Sequence, residues 1–181
     1  MIKKDYFLNE KSYTLSYIMN DGLSNSPVIV MVHGFAGNKE ENGLFNESDA
    51  FFHSRGYNVF RFDMTGSGES EGKFIHTNLG TQKSDLIKAL EVVKTNYLKV
   101  GIVGFSFGAT VSLLADSGAD AFALWSPALF PCKDMFPRYD TEEVKKELIE
   151  KGYLLKSGLM VGSDMINDLR NCDLSRLIRI F

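Results

Sequence analysis

The chain lacks the marks of several common protein classes. Cysteine occurs twice in 181 residues, as Cys132 and Cys172. The two are far apart and have no histidine at metal-ligand spacing, so neither a disulfide framework nor a zinc site is expected, and no cofactor is implied. Charge does not collect either: 20 Lys+Arg stand against 23 Asp+Glu, a formal balance of −3 with no long block of one sign. That excludes the footprint of a nucleic-acid binder and a polybasic membrane anchor. No apolar run approaches the roughly 18 residues needed to span a bilayer. The opening Met1-Ile2-Lys3-Lys4-Asp5 passes straight into an alternating pattern, so no signal peptide is expected and the expected compartment is the cytoplasm. Histidine is scarce, with three in the chain, at positions 33, 53 and 76.

The apolar content is ample: 44% of residues are hydrophobic, enough for one sizeable core. Two alternating stretches, around Tyr6 to Leu8 and Tyr13 to Met19, joined at Asn9-Glu10-Lys11, read as an antiparallel hairpin. The continuous run Val28 to Val32 reads as a strand buried on both faces, and similar runs follow at Tyr57 to Phe62, Val100 to Val103 and Ala121 to Trp125. Between them lie helical patterns: Phe45 to Arg55 ending at Gly56, Leu79 to Tyr97 with the stripe Leu86, Leu90, Val93 and Tyr97, and Phe107 to Asp116. Strands alternating with helices demand a mostly parallel sheet with helices on both faces, an α/β sandwich.

After Ser126-Pro127 the pattern changes. Pro127, Pro131 and Pro137 punctuate a stretch without buried strands, and Asp140 with Glu143 resembles the start of a helix over Val144 to Lys151 that Gly152 stops. The remainder, through Gly158 and Gly162 to Arg176, shows no clear sheet element. The division expected is a core over residues 1–126 and a lid-like insertion with a connecting segment over 127–181; ordinary connecting helices of the sandwich are the plainer alternative.

Three segments carry chemistry. Gly104-Phe105-Ser106-Phe107-Gly108 leaves a buried strand and enters a helix directly, the setting in which G-x-S-x-G lifts a serine hydroxyl off a sheet. Glycine at both flanks spares the Cβ that would clash in so sharp a turn. Alone, the pentapeptide is equally a structural turn. The second segment, His33-Gly34-Phe35, follows Val28 to Val32 where the chain leaves the sheet. The amides of Phe35 and Phe107 are candidate donors to an oxyanion, and His33 reads as a side chain ordering the loop rather than as a base. The third, Asp63 to Gly72, is glycine-rich, but it lacks the lysine and helix of a phosphate loop and reads as structural. Phe35, Phe105, Phe107 and Trp125 suit an apolar acyl pocket and a core equally.

Together these segments resemble the α/β-hydrolase family over residues 5 to 126, in particular small serine esterases of the cinnamoyl or feruloyl esterase and monoacylglycerol-lipase-like type. The resemblance implies Ser106 as nucleophile, Phe35 and Phe107 as oxyanion-hole amides, support from Gly104, Gly108, His33 and Gly34, no metal, and a small-molecule ester as substrate. It also implies an acid and then a histidine after the nucleophile, whereas all three histidines here precede Ser106. Asp134, Asp140, Asp164 and Asp168 are loose candidates for the acid, and His76 is a less implausible substitute base than His53. The expectation is a hydrolase whose C-terminal strands are missing. It would be an impaired serine esterase, or a non-catalytic remnant or interaction module. In either case Ala121 to Trp125 forms an unpaired edge, open to self-association or to a complementing C-terminal polypeptide.

Overall fold

A computed structural model describes residues 1–22, 25–115, 117–136 and 141–174. The strands β1 (Ile2–Leu8), β2 (Thr14–Asn20), β3 (Val28–Val32), β4 (Asn58–Phe62), β5 (Val100–Phe105) and β6 (Ala121–Trp125) form one sheet in the order β1-β2-β4-β3-β5-β6. The pairs β1·β2 and β2·β4 are antiparallel; β3 lies parallel between β4 and β5, and β6 parallel to β5. The mostly parallel α/β architecture read from the sequence is therefore the one found.

Side chains alternate across a strand, so β3, buried at all five positions, feeds two cores. Val28, Val30 and Val32 join Phe60, Phe62 and Ile102 beneath α2 (Leu79–Lys94) and α3 (Phe107–Leu114), which add Leu86, Leu90, Val93 and Val111. Ile29 and Met31 face the other way, with Val59, Val103 and Phe45 of α1 (Leu44–Ser54). Helix α2 starts where the Asn78 side chain accepts the Thr81 N–H at 2.8 Å, a side-chain cap satisfying one orphan donor. It ends at Lys94 rather than Tyr97, and α3 ends at Leu114; Asp116 lies outside the described residues.

Two sequence expectations need correction. Strand β6 is not buried on both faces as its apolar run suggested: Ala121, Phe122 and Ala123 are exposed and Leu124 and Trp125 half-buried, because among the described residues it pairs with β5 alone, at the edge where the resemblance set it. The stretch after residue 126 does contain sheet. Strands β7 (Tyr153–Lys156) and β8 (Leu159–Gly162) form an antiparallel hairpin. They turn on Ser157 and Gly158, both at positive φ, 50° and 84°, as a two-residue hairpin turn requires. Around the hairpin lie α4 (Pro131–Met135), α5 (Glu142–Lys151) and α6 (Ser163–Asn171). Thr141 accepts the Val144 N–H and caps α5, and Gly152 at φ 75° ends it; Pro137, Asp140 and Arg176 lie outside the described residues.

Phe136, Leu148, Leu154, Val161, Met165, Ile166 and Leu169 share one core with Phe74, Leu79 and Phe107. The contact is close: a Cβ on Gly162 would stand 2.0 Å from the Ile75 carbonyl oxygen, and Asp168 accepts the Leu79 N–H at 3.0 Å.

Candidate active site

Between β5 and α3 a single residue turns the chain. Ser106 has φ 51° and ψ −114°, a conformation that costs an L-residue free energy and persists only where its surroundings impose it. Its N–H donates to the Trp125 carbonyl at 2.8 Å, and its own carbonyl accepts from Ala109 and Thr110 at 3.1 and 3.3 Å. Backbone bonds thus hold the turn from both sides. The side chain is half-buried and does not cap α3, and its hydroxyl bonds no described residue. The flanking glycines are sterically required. A Cβ on Gly104 would lie 2.7 Å from Ala109 Cα, and one on Gly108 would lie 2.1 Å from the Val32 carbonyl oxygen and 2.4 Å from that of His33. This packs the first turn of α3 directly against the end of β3.

That contact brings residues 33 to 35 beside Ser106. Gly34 donates its N–H to Glu41 at 2.7 Å; burial pushes the Glu41 carboxyl up in pKa, and this hydrogen bond opposes it. Its carbonyl accepts the Gly37 N–H at 3.0 Å, with Ala36 at φ 56° inside the turn. Neither the Phe35 nor the Phe107 N–H donates to any described group, so both are available to an acceptor.

His33, 1% exposed, is fully engaged. Nδ1 lies 2.8 Å from the Gly34 carbonyl oxygen and Nε2 3.1 Å from the Met64 nitrogen. A carbonyl only accepts and an amide only donates, so the ring is neutral with its proton on Nδ1. Burial lowers its pKa, against the Gly34 bond and the nearby Asp63. With both nitrogens occupied by backbone, His33 orders the loop and has no free lone pair with which to act as a base.

The loop after β4 is closed on itself. Asp63, at 0% exposure, accepts the Lys39 N–H and ammonium, each at 2.6 Å, and the Glu69 N–H at 2.9 Å. Lys39 also reaches Glu69 at 2.6 Å. Burial pulls the Lys39 ammonium down in pKa, but Asp63 and Glu69 outweigh it and the value stands above the ordinary one. Hydrogen bonds from Lys39 and Lys4 hold Glu69 down to about 2. Thr65 donates its N–H to Asp85 at 2.7 Å, and those of Gly66, Ser67 and Ser70 go to Glu71, Met64 and Ser67 carbonyls. A phosphate would find these amides spent.

The four aromatic candidates separate. Phe107, 1% exposed, is core, and Phe105 and Trp125 pack with Phe52 on the α1 side of the sheet. Phe35 is half-buried and meets Phe74, Phe107 and Phe136 edge-on at 5.0, 5.4 and 5.6 Å. Lys156 of β7 lies 4.0 Å over the Phe136 ring and 5.8 Å over that of Phe35, and burial lowers its pKa. A cavity of about 600 Å³ opens at the opposite, N-terminal ends of the parallel strands, between Pro27, Asn58 and Lys99; it touches none of these groups.

In sequence the chain matches, over residues 24–161, the family described as serine aminopeptidase, S33. It belongs to this family of α/β hydrolases. No curated protein matches it in sequence. Among solved structures it is similar to Est1E of Butyrivibrio proteoclasticus with ferulic acid bound, with a TM-score of 0.81 and 17% identity over 96% of this chain and 73% of that one. It is similar as well to mouse alpha/beta hydrolase domain-containing protein 10, with a TM-score of 0.75 and 22% identity over 94% and 70%, and to the alpha/beta hydrolase GrgF of a Penicillium species, with 0.73 and 15% over 96% and 74%. At these identities the likeness is one of fold.

None of the other titratable candidates of this hydrolase has a described contact with Ser106. His53 bonds the Tyr57 carbonyl oxygen at 3.2 Å, just before β4 begins. That is the N-terminal edge of the parallel strands, five residues or about 17 Å from their C-terminal edge. His76 ends a single 3-10 turn, Phe74–His76, with its side chain exposed. Asp168 is engaged by the Leu79 N–H, Asp134 accepts the Phe130 N–H at 3.0 Å, and Asp164 is exposed in the first turn of α6. Sequence reasoning did not single out Lys156 and Phe136, whose place over Phe35 depends on the Ser157-Gly158 hairpin. The Ser157-Gly158 dipeptide between two short apolar runs was the available signal.

Proposed function

We infer that this hydrolase acts on carboxylic esters through an acyl-enzyme on Ser106. The observation that carries the reading is a serine held at positive φ between strand and helix, with the unengaged amides of Phe35 and Phe107 beside it. The Ser106 oxygen attacks the ester carbonyl carbon, the C–O bond to the alcohol breaks, and the hydroxyl proton passes to a base that none of the three histidines provides in its described contacts. Water then cleaves the acyl-enzyme and releases the acid. The two N–H groups stabilise the tetrahedral oxyanion, and one such donor is worth about 10²- to 10³-fold in rate. The ferulic acid bound to Est1E and the aromatic wall of Phe35, Phe74 and Phe136 favour an ester with an aromatic or apolar acyl part. The described segments 127–135 and 141–174 serve in this reading as a lid-like cover over that wall.

A second reading, a non-catalytic module on the same scaffold, is favoured by the histidines: His33 is committed to backbone, and His53 and His76 have no described contact with Ser106. A fluorophosphonate probe separates the two. Covalent labelling at Ser106, abolished in Ser106→Ala while the melting curve stays within about 0.5 kcal/mol of the parent, is the expected result. Silence of the unaltered protein would favour the module.

The partners we propose are a small-molecule ester and, through the exposed strand β6, a second copy or a complementing polypeptide. Ala121 to Trp125 carry neither charge nor proline to blunt the edge. Light scattering across a concentration series is expected to show self-association, and a monomer throughout would remove that proposal.

A further inference from the structure

The adjacent strands β5 and β6 each run out directly into a serine at positive φ, Ser106 at 51° and Ser126 at 49°, and the loop after the neighbouring β3 holds Ala36 at 56°, four residues past the strand. Backbone strain beside a candidate site points to function when the residue concerned could have been relieved by glycine. Ser126 is such a residue, and it stands directly before Pro127, where backbone freedom is already restricted.

Its position follows from register. Phe105 pairs with Trp125, and the Ser106 N–H bonds the Trp125 carbonyl at 2.8 Å, so Ser126 leaves its strand beside Ser106, across a gap that is about 4.8 Å between the paired strands. The order β3-β5-β6 sets Phe35 on one side of Ser106 and Ser126 on the other. Ser126 is exposed and its hydroxyl bonds no described residue. Its backbone is steadied by the Thr110 hydroxyl, which donates to the Ala128 carbonyl at 2.8 Å.

We propose that the Ser126 hydroxyl contacts the leaving-group oxygen of an ester held at Ser106, which makes it a second catalytic residue of the site. This rests on the acyl-enzyme reading above. With the carbonyl oxygen drawn toward the Phe35 amide, the alkoxy oxygen departs on the β6 side. As the C–O bond breaks, negative charge grows on that oxygen, and Ser126 donates a hydrogen bond to it. Ser126 keeps its own proton; the one the alcohol finally takes comes from water. The contact matters for a basic alkoxide and little for a stable phenolate.

The test compares an ethyl and a p-nitrophenyl ester of one acid in single-turnover alcohol release, using the unaltered protein, Ser126→Ala and Ser126→Gly. Both variants are expected to release ethanol about tenfold more slowly, the worth of one good hydrogen bond, with p-nitrophenol release nearly unchanged. Equal loss on both esters, no loss on either, or recovery in Ser126→Gly alone would each overturn the proposal, the last by assigning the effect to the backbone. Fluorophosphonate labelling distinguishes failures. Absence of label on Ser106 overturns the acyl-enzyme reading and this proposal with it. A labelled protein whose ester selectivity is untouched by Ser126→Gly, or one that is labelled yet releases neither alcohol, overturns this proposal alone.

Discussion

Gly108→Ala is expected to cost more than about 4 kcal/mol, enough to leave little folded protein from a total of about 5–15 kcal/mol. The new methyl carbon would sit 2.1 and 2.4 Å from the carbonyl oxygens of Val32 and His33, more than 0.5 Å inside any tolerable contact. Those oxygens cannot yield, because β3 is buried at every position and paired on both sides. Helix α3 would have to lift, opening the core around Phe107 and Val111. Gly56→Ala is the control: it too loses a glycine, at φ 91°, but into open space, so about 1–2 kcal/mol of backbone strain is all it should cost. Denaturant titration of the two variants measures the difference, and a Gly108→Ala protein within 1 kcal/mol of its parent would mean that α3 does not approach β3 so closely.

Asp63→Ala should rank next, at about 3–5 kcal/mol. It removes the acceptor of three donors, two of them backbone N–H groups, and leaves the Lys39 ammonium, with its side chain 5% exposed, to Glu69 alone. Taking one partner from a buried ion pair is far more costly than the pair's net worth. Glu69→Gln touches the same cluster at its wet end, where the carboxylate is 48% exposed, and should cost under about 1 kcal/mol. Equal losses in urea titrations would show that the buried end of the cluster has no special weight.

The two expectations that failed at the sheet did so for different physical reasons. Ala121 to Trp125 has the same apolar character as Val28 to Val32, because composition records what a strand can bury and not whether a second neighbour stands beside it; only the family resemblance pointed to an unpaired edge there. Val28 to Val32 is enclosed by β4 and β5, whereas β6 has β5 alone among the described residues. The β7·β8 hairpin escaped for the opposite reason: its strands are four residues long, and only Leu154, Val161 and Gly162 are buried, so little alternation was there to read. Ser157-Gly158 was the stronger mark. Around Ser106 the turn was legible because glycine at both flanks and a strand-to-helix junction are local properties. The double engagement of His33 was not, since the Met64 N–H reaches its ring only once β3 and β4 lie side by side in the register Val32↔Phe62.

Phe136 seals one side of the Phe35 ring and is itself 1% exposed. Freeing that phenyl group into water would cost about 2–3 kcal/mol, so a conformer with it swung aside stays near or below the per cent level. If Ser106 is the nucleophile, as we propose, a molecule travelling toward it therefore meets the Phe136 ring as a standing wall more often than as a hinged one.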